Sequence, residues 1–157
     1  MKLLELFQTG SQPYEWQKVK PTLYTFQGKE RLYTVTFLTI EEPDFEDYNP
    51  FKDVQLDLRN SYDLMFFAQD PRTKSQQFDI IGSGGDQIKI FATVIDIFKD
   101  FVQTTHPDLV RFSAKEESRK RLYNRFLRLA EKHLPTAKTR TTLVDNHIYY
   151  WMLFKTK

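Results

Sequence analysis

Three clusters in this 157-residue chain have residue types and spacings that could do chemistry. The first is the turn Gly82-Ser83-Gly84-Gly85-Asp86, which follows an apolar strand pattern and opens a helical one. Glycines let the backbone approach a ligand closely, and a helix N-terminus offers free N–H groups and a favourable dipole to a phosphate. The spacing is not a Walker loop, since no Gly-Lys-Ser/Thr follows, and it is not a dinucleotide fingerprint. Asp86 sits at the cap position and repels an anion, so a tight turn capped by Asp86 stands beside the phosphate reading. The second cluster is basic: Arg119, Lys120, Arg121, Arg125 and Arg128 lie in a segment that reads as a helix over 114–133. Neutralising several phosphates, or docking an acidic partner, is the chemistry open to such a face. The third is acidic. Residues 41–50 hold five acids and no base, with Asp44, Glu46 and Asp47 close together. A calcium loop needs ligands at fixed alternate positions and a glycine for the sharp turn, and this segment has neither, so no metal site is expected.

Other residues carry less. His106, His133 and His147 are far apart and share no metal-ligand spacing. Tyr123 falls on the apolar stripe of the basic helix, where a core aromatic is the plain reading and a general acid the functional one.

These clusters need elements to position them. Tyr14–Val19, Thr22–Gln27 and Arg31–Ile40 alternate apolar and polar residues, and Gly28-Lys29-Glu30 turns the last two into a hairpin. The acidic stretch with Pro43 and Pro50 reads as a solvated loop. Asp53–Arg59 reads as a strand with Val54, Leu56 and Leu58 inward, Tyr62–Gln69 as a more buried one, and Phe78–Gly82 as the last strand of an antiparallel meander. From Asp86 to about Val102 the period changes. Phe91, Val94, Ile95, Phe98, Phe101 and Val102 recur every three or four residues, the stripe of an amphipathic helix, and Ile88, Ile90 and Ile97 widen it. Thr104-Thr105-His106-Pro107 ends that helix. Leu109–Phe112 is a short strand, expected to run parallel to the 78–82 strand because a helix connects them. Ser113-Ala114-Lys115-Glu116 matches a capping box for the basic helix. Thr141–Val144 and His147–Lys155 close the chain. The fold class is therefore mixed α/β, an antiparallel meander followed by βαβαβ with two main helices.

The whole is expected to be one domain, 1–157. Hydrophobic residues at 40% and aromatics at 15% argue against disorder. With no cysteine there is no disulfide, thiolate metal site or cysteine nucleophile. The opening MKLLELFQTG is too short an apolar run for a signal peptide, and no stretch is long enough to span a bilayer. A soluble protein of a reducing compartment is expected. A net charge of +2 hides an uneven distribution, because residues 111–140 hold ten Lys/Arg against three Glu.

The glycine turn before the first helix and Arg121-Leu122-Tyr123-Asn124-Arg125-Phe126 in the second resemble the GNAT acetyltransferase superfamily. That resemblance implies a loop cradling the pyrophosphate of acetyl-coenzyme A at Gly82, Ser83, Gly84, Gly85 and Asp86. It also implies Tyr123 as general acid. No Arg or Gln precedes the glycines at the family spacing. The phrases FDIIGSGGDQIKIFATV and RFSAKEESRKRLYNRF resemble small proteins encoded by tailed bacteriophages, which implies a viral origin and a place in the host cytoplasm. The leading expectation is a phage-encoded accessory protein that binds a host or virion protein, without a working acetyl-transfer site and without a cofactor. The alternatives are a divergent acetyltransferase using acetyl-coenzyme A, and a nucleic-acid binder using helix 114–133.

Overall fold

The computed structural model describes residues 12–41, 45, 49–69, 76–78, 85–114, 117–134, 138–144 and 147–155. Their strands are β1 (Trp16–Lys20), β2 (Leu23–Gln27), β3 (Leu32–Thr39), β4 (Ser61–Gln69), β5 (Gln76–Phe78), β6 (Leu109–Ala114), β7 (Lys138–Val144) and β8 (His147–Leu153). Two long helices accompany them, α1 (Gly85–Thr105) and α2 (Glu117–His133). The fold is mixed α/β. Two compact units divide the chain, one of Met1–Thr36 with Met65–Thr104, the other of Phe37–Leu64 with Thr105–Lys157. Strands β3 and β4 pass through both.

In the first unit the strands follow the order β1-β2-β3-β4, with β5 paired antiparallel to the end of β4 through Phe67↔Phe78 and Gln69↔Gln76. The expected hairpin is formed, with Thr25 opposite Thr34 and Phe26 opposite Tyr33. Its turn depends on Gly28, whose N–H donates to the Arg31 carbonyl at 2.8 Å. A Cβ there would lie 2.7 Å from Cε2 of Tyr33, so the ring of Tyr33 packs where a side chain would stand. Rings then stack across the strands: Tyr14 on Phe26 (6.1 Å), Phe26 on Tyr33 (5.1 Å) and Tyr33 on Phe66 (5.5 Å).

Helix α1 is buried far beyond one stripe. Ile90, Phe91, Ala92, Thr93, Val94, Ile95, Ile97, Phe98, Phe101 and Val102 are all buried. Its remaining side keeps Asp96, Lys99 and Asp100 half-buried and Gln103 and Thr104 exposed, so the helix is amphipathic with a wide apolar face. It ends as expected, with His106 in the left-handed region at φ 53° just before Pro107.

In the second unit the order is β4-β6-β8-β7. The parallel neighbour of β6 is β4, through Ser61↔Leu109 to Asp63↔Arg111, and not the expected strand 78–82, which beyond Phe78 lies outside the described residues. The strand that precedes α1, β5, has only three described residues and turns back on β4. One sheet face carries Phe112, which stacks on Tyr150 at 5.0 Å and meets Phe126 of α2 edge-on at 5.2 Å. The other face carries Leu109, Trp151 and Leu153, packed with Ile40, Phe45, Phe51 and Val54. The segment 41–50, expected to be a solvated acidic loop, therefore anchors a core layer through Phe45, and Phe51 just after it does the same, each 2% exposed. Its carboxylates Asp44, Glu46 and Asp47 lie outside the described residues.

The strand expected over Asp53–Arg59 is not formed. Asp57 instead caps a short 3₁₀ turn, Leu58–Asn60, its carboxylate accepting from the Arg59 N–H at 3.0 Å. Val54 is buried while Leu58 is exposed, so the two ends of the apparent alternation have different environments. Asp108 ties this turn down. Its carboxylate accepts from the Asp57 N–H (3.0 Å) and the Asn60 amide (3.2 Å), and its carbonyl accepts from the Phe154 N–H (2.9 Å). Ser113 and Ala114 belong to β6 and α2 starts at Glu117, so Ser113 is a strand residue rather than the helix cap.

Candidate functional site

Among the described residues of the first unit, an open groove of about 600 Å³ lies beside β1. Pro13, Tyr14, Trp16, Phe26 and Leu32 give it apolar walls, while Thr25, Gln17 and Gln27 supply hydroxyl and amide groups. Glu15 and Lys89 are its charged members. Polar and apolar groups share its lining about equally, and concave surfaces of this size are where ligands and partner segments bind.

The local sequence explains how the groove is built. Alternation along β1 points Trp16 and Lys18 towards α1, and β2 does the same with Tyr24 and Phe26. Helix α1 answers with one polar row, Lys89, Thr93, Asp96, Asp100 and Thr104, spaced four, three, four and four residues apart on one side of the helix. Thr93 accepts from the Tyr14 N–H at 2.8 Å and donates to the Lys89 carbonyl at 2.7 Å. Asp96 accepts from the Trp16 indole N–H at 2.8 Å, which fixes the ring that walls the groove. Asp100 accepts from Lys18 at 3.0 Å and from the Tyr24 hydroxyl at 2.9 Å. Burial, reinforced by the hydrogen bond to Asp100 and its charge, pushes the Tyr24 phenol far above its ordinary pKa. Lys89 places its ammonium 4.3 Å over the Tyr14 ring, a cation–π contact at the groove.

Among the described residues of the second unit, one charged side chain is buried. Arg111 is 3% exposed, and its guanidinium donates to Asp63 twice, at 2.7 and 2.9 Å. The rings of Tyr149 and Trp151 lie 4.9 and 5.1 Å from it. A bidentate pair flanked by rings satisfies its own charge. This cluster ties β6 to β4 within the sheet.

Of the residues singled out from sequence, Gly82, Ser83 and Gly84 lie outside the described residues. Gly85 and Asp86 are the first residues of α1, and their side chains are not among those described. Arg119, Lys120, Arg121 and Tyr123 are placed as backbone positions in α2, again without described side chains. Arg125 and Arg128 are exposed on that helix, opposite the buried Phe126, Leu127, Leu129 and Ala130. Tyr14, Trp16, Phe26 and Lys89 were missed. The available signal was the polar row on an otherwise apolar helix, which needs a partner on the sheet.

Among the described residues, no three His, Cys, Asp or Glu side chains are grouped to hold a metal ion. No helix among them is long and apolar enough to cross a membrane. No curated protein and no solved structure gives a significant match to the chain. A family match does cover residues 20–151, which takes in β2 through most of β8. The chain thus belongs to the DUF6934 family, described as a family of unknown function.

Proposed function

We propose that this chain is a phage-encoded accessory protein that acts in the host cytoplasm by binding a host or virion protein, without a working acetyl-transfer site. The observation that carries the binding reading is the groove beside β1. Its walls mix rings and aliphatic surface with amide, hydroxyl and charged groups, and the nearby acids Asp96 and Asp100 are bonded to Trp16, Lys18 and Tyr24. Tyr24 is held protonated, which suits a structural hydroxyl better than an acid or base working near neutral pH. Aromatic pockets of this kind receive the anchor side chains of partner proteins. The occupant that fits is a protein segment with an apolar side chain beside a carboxylate, the first against the partly exposed rings of Tyr14 and Trp16, the second meeting Lys89.

The order of elements supports a GNAT-like sheet: antiparallel strands, α1, β6 parallel to β4, α2, and the closing pair β7–β8. That order also favours the second reading, a divergent acetyltransferase holding acetyl-coenzyme A at Gly82–Asp86 with Tyr123 as acid. Two experiments separate them. Titration calorimetry with acetyl-coenzyme A should give no heat; micromolar binding that Gly84→Asp abolishes would restore the enzyme. Cross-linking in infected cells should recover a stoichiometric protein that is lost with Lys89→Glu and with Leu32→Arg. Recovery of the same protein by both variants would remove the groove from the reading.

A further inference from the structure

We propose that the exposed side of α2 binds the phosphate backbone of nucleic acid without reading its sequence, a site separate from the groove and independent of it. Arg125, Arg128 and Lys132 are exposed and spaced three and four residues apart, which sets them in one line along the helix. Arg121 occupies the preceding position of that line. Among the described residues none of Arg125, Arg128 and Lys132 forms an ion pair. The one acid beside them, Glu131, accepts a hydrogen bond from Thr139 Oγ1 at 2.7 Å and is held towards β7. Charge is concentrated here. Residues 117–140 carry eight Lys/Arg against two Glu, while the whole chain carries 23 against 21 Asp/Glu.

The composition of the face selects the partner. Centres of protein interfaces are depleted of charge and enriched in rings. The described positions of this line hold only cations, and the neighbouring ring, Phe126, is turned inward onto Phe112. Bases therefore find no described ring to stack on, and attraction to phosphates is what remains. Counterion release then governs affinity, with a slope of log K against log salt of about −0.9 per phosphate neutralised, or about −2.7 for three cations.

The test is fluorescence anisotropy of the full chain with a labelled random-sequence DNA duplex, between about 50 and 200 mM salt. Binding at low salt with that slope is expected, and Arg125→Glu with Arg128→Glu, which adds two anions as it removes two cations, should remove the affinity and flatten the slope. Arg125→Gln with Arg128→Gln should leave a slope of about −0.9, that of one remaining cation, which controls for a folding defect in the charge-reversed chain. Lys29→Glu in the first unit should leave the slope unchanged. No binding at the lowest salt, or a slope untouched by either double variant, would overturn the proposal. Competition by polyglutamate as effective as unlabelled DNA would also overturn it, by pointing to an acidic protein.

Discussion

The two long helices use their polar residues in opposite ways. On α1, Thr93, Asp96, Asp100 and Thr104 each bond an element that sequence places far away or a backbone carbonyl of their own helix. On α2, Arg125, Arg128 and Lys132 reach into solvent while the apolar side packs on the sheet. Polar groups inside a structure must be satisfied, because leaving one unmade costs about 1–3 kcal/mol. Polar groups outside carry no such obligation, and are available for something else. The contrast separates residues that hold the fold from residues that can meet a partner, which charge alone does not.

The largest effect should come from breaking the buried side of that contrast. Phe98 on α1 is fully buried, and Phe98→Ala should cost about 3–5 kcal/mol in a denaturant titration. A cost below about 1 kcal/mol would mean that α1 is not the packed centre of its unit. Next comes the polar row itself. Asp100→Ala removes the acceptor of both Lys18 and the Tyr24 hydroxyl, and about 1–3 kcal/mol should be lost with it. Lys18→Ala should cost less, since that pair is partly exposed. Equal losses would place the weight on the ion pair rather than on the phenol.

Much of this was legible beforehand, and the rest failed for local reasons. Period-two alternation marked Arg31–Ile40, apolar composition marked Tyr62–Gln69, and the three-and-four spacing marked α1, because those patterns persist over many residues. Val54, Leu56 and Leu58 alternate equally well, yet Asp57 bonds the backbone two residues on and makes a turn instead. Acid content made 41–50 look solvated, although Phe45 within it and Phe51 just after it decide where the segment goes. The groove was not legible at all. It depends on Trp16 meeting Asp96, eighty positions along the chain, and no local pattern records such a meeting.

A smaller effect tests the same polar row through pH. Tyr24 has its pKa raised by burial and by Asp100, so the folded state favours the protonated phenol. Its contribution is complete below the ordinary phenol value of about 10 and is lost as pH rises from there towards the folded value. Tyr62 and Tyr150 are raised by burial and act with the same sign. Stability should therefore fall above about pH 10, and Tyr24→Phe should make that fall shallower. An unchanged alkaline slope in Tyr24→Phe would assign it to the other two tyrosines.

The smallest effect is the most informative about α2. Arg125→Ala and Arg128→Ala should each leave unfolding free energy within about 0.5 kcal/mol, since both side chains are exposed and alanine is a favourable helix residue. Set beside the loss expected at Asp100, this completes the comparison: one helix pays in stability for any change to its polar row, and the other does not. If Arg125→Ala instead cost more than about 1 kcal/mol, its guanidinium would be holding the fold as Arg111 does through Asp63. The basic line would then be structural, and the phosphate reading would lose one of its cations. Stability that holds while DNA affinity falls would identify a surface kept for contact rather than for folding.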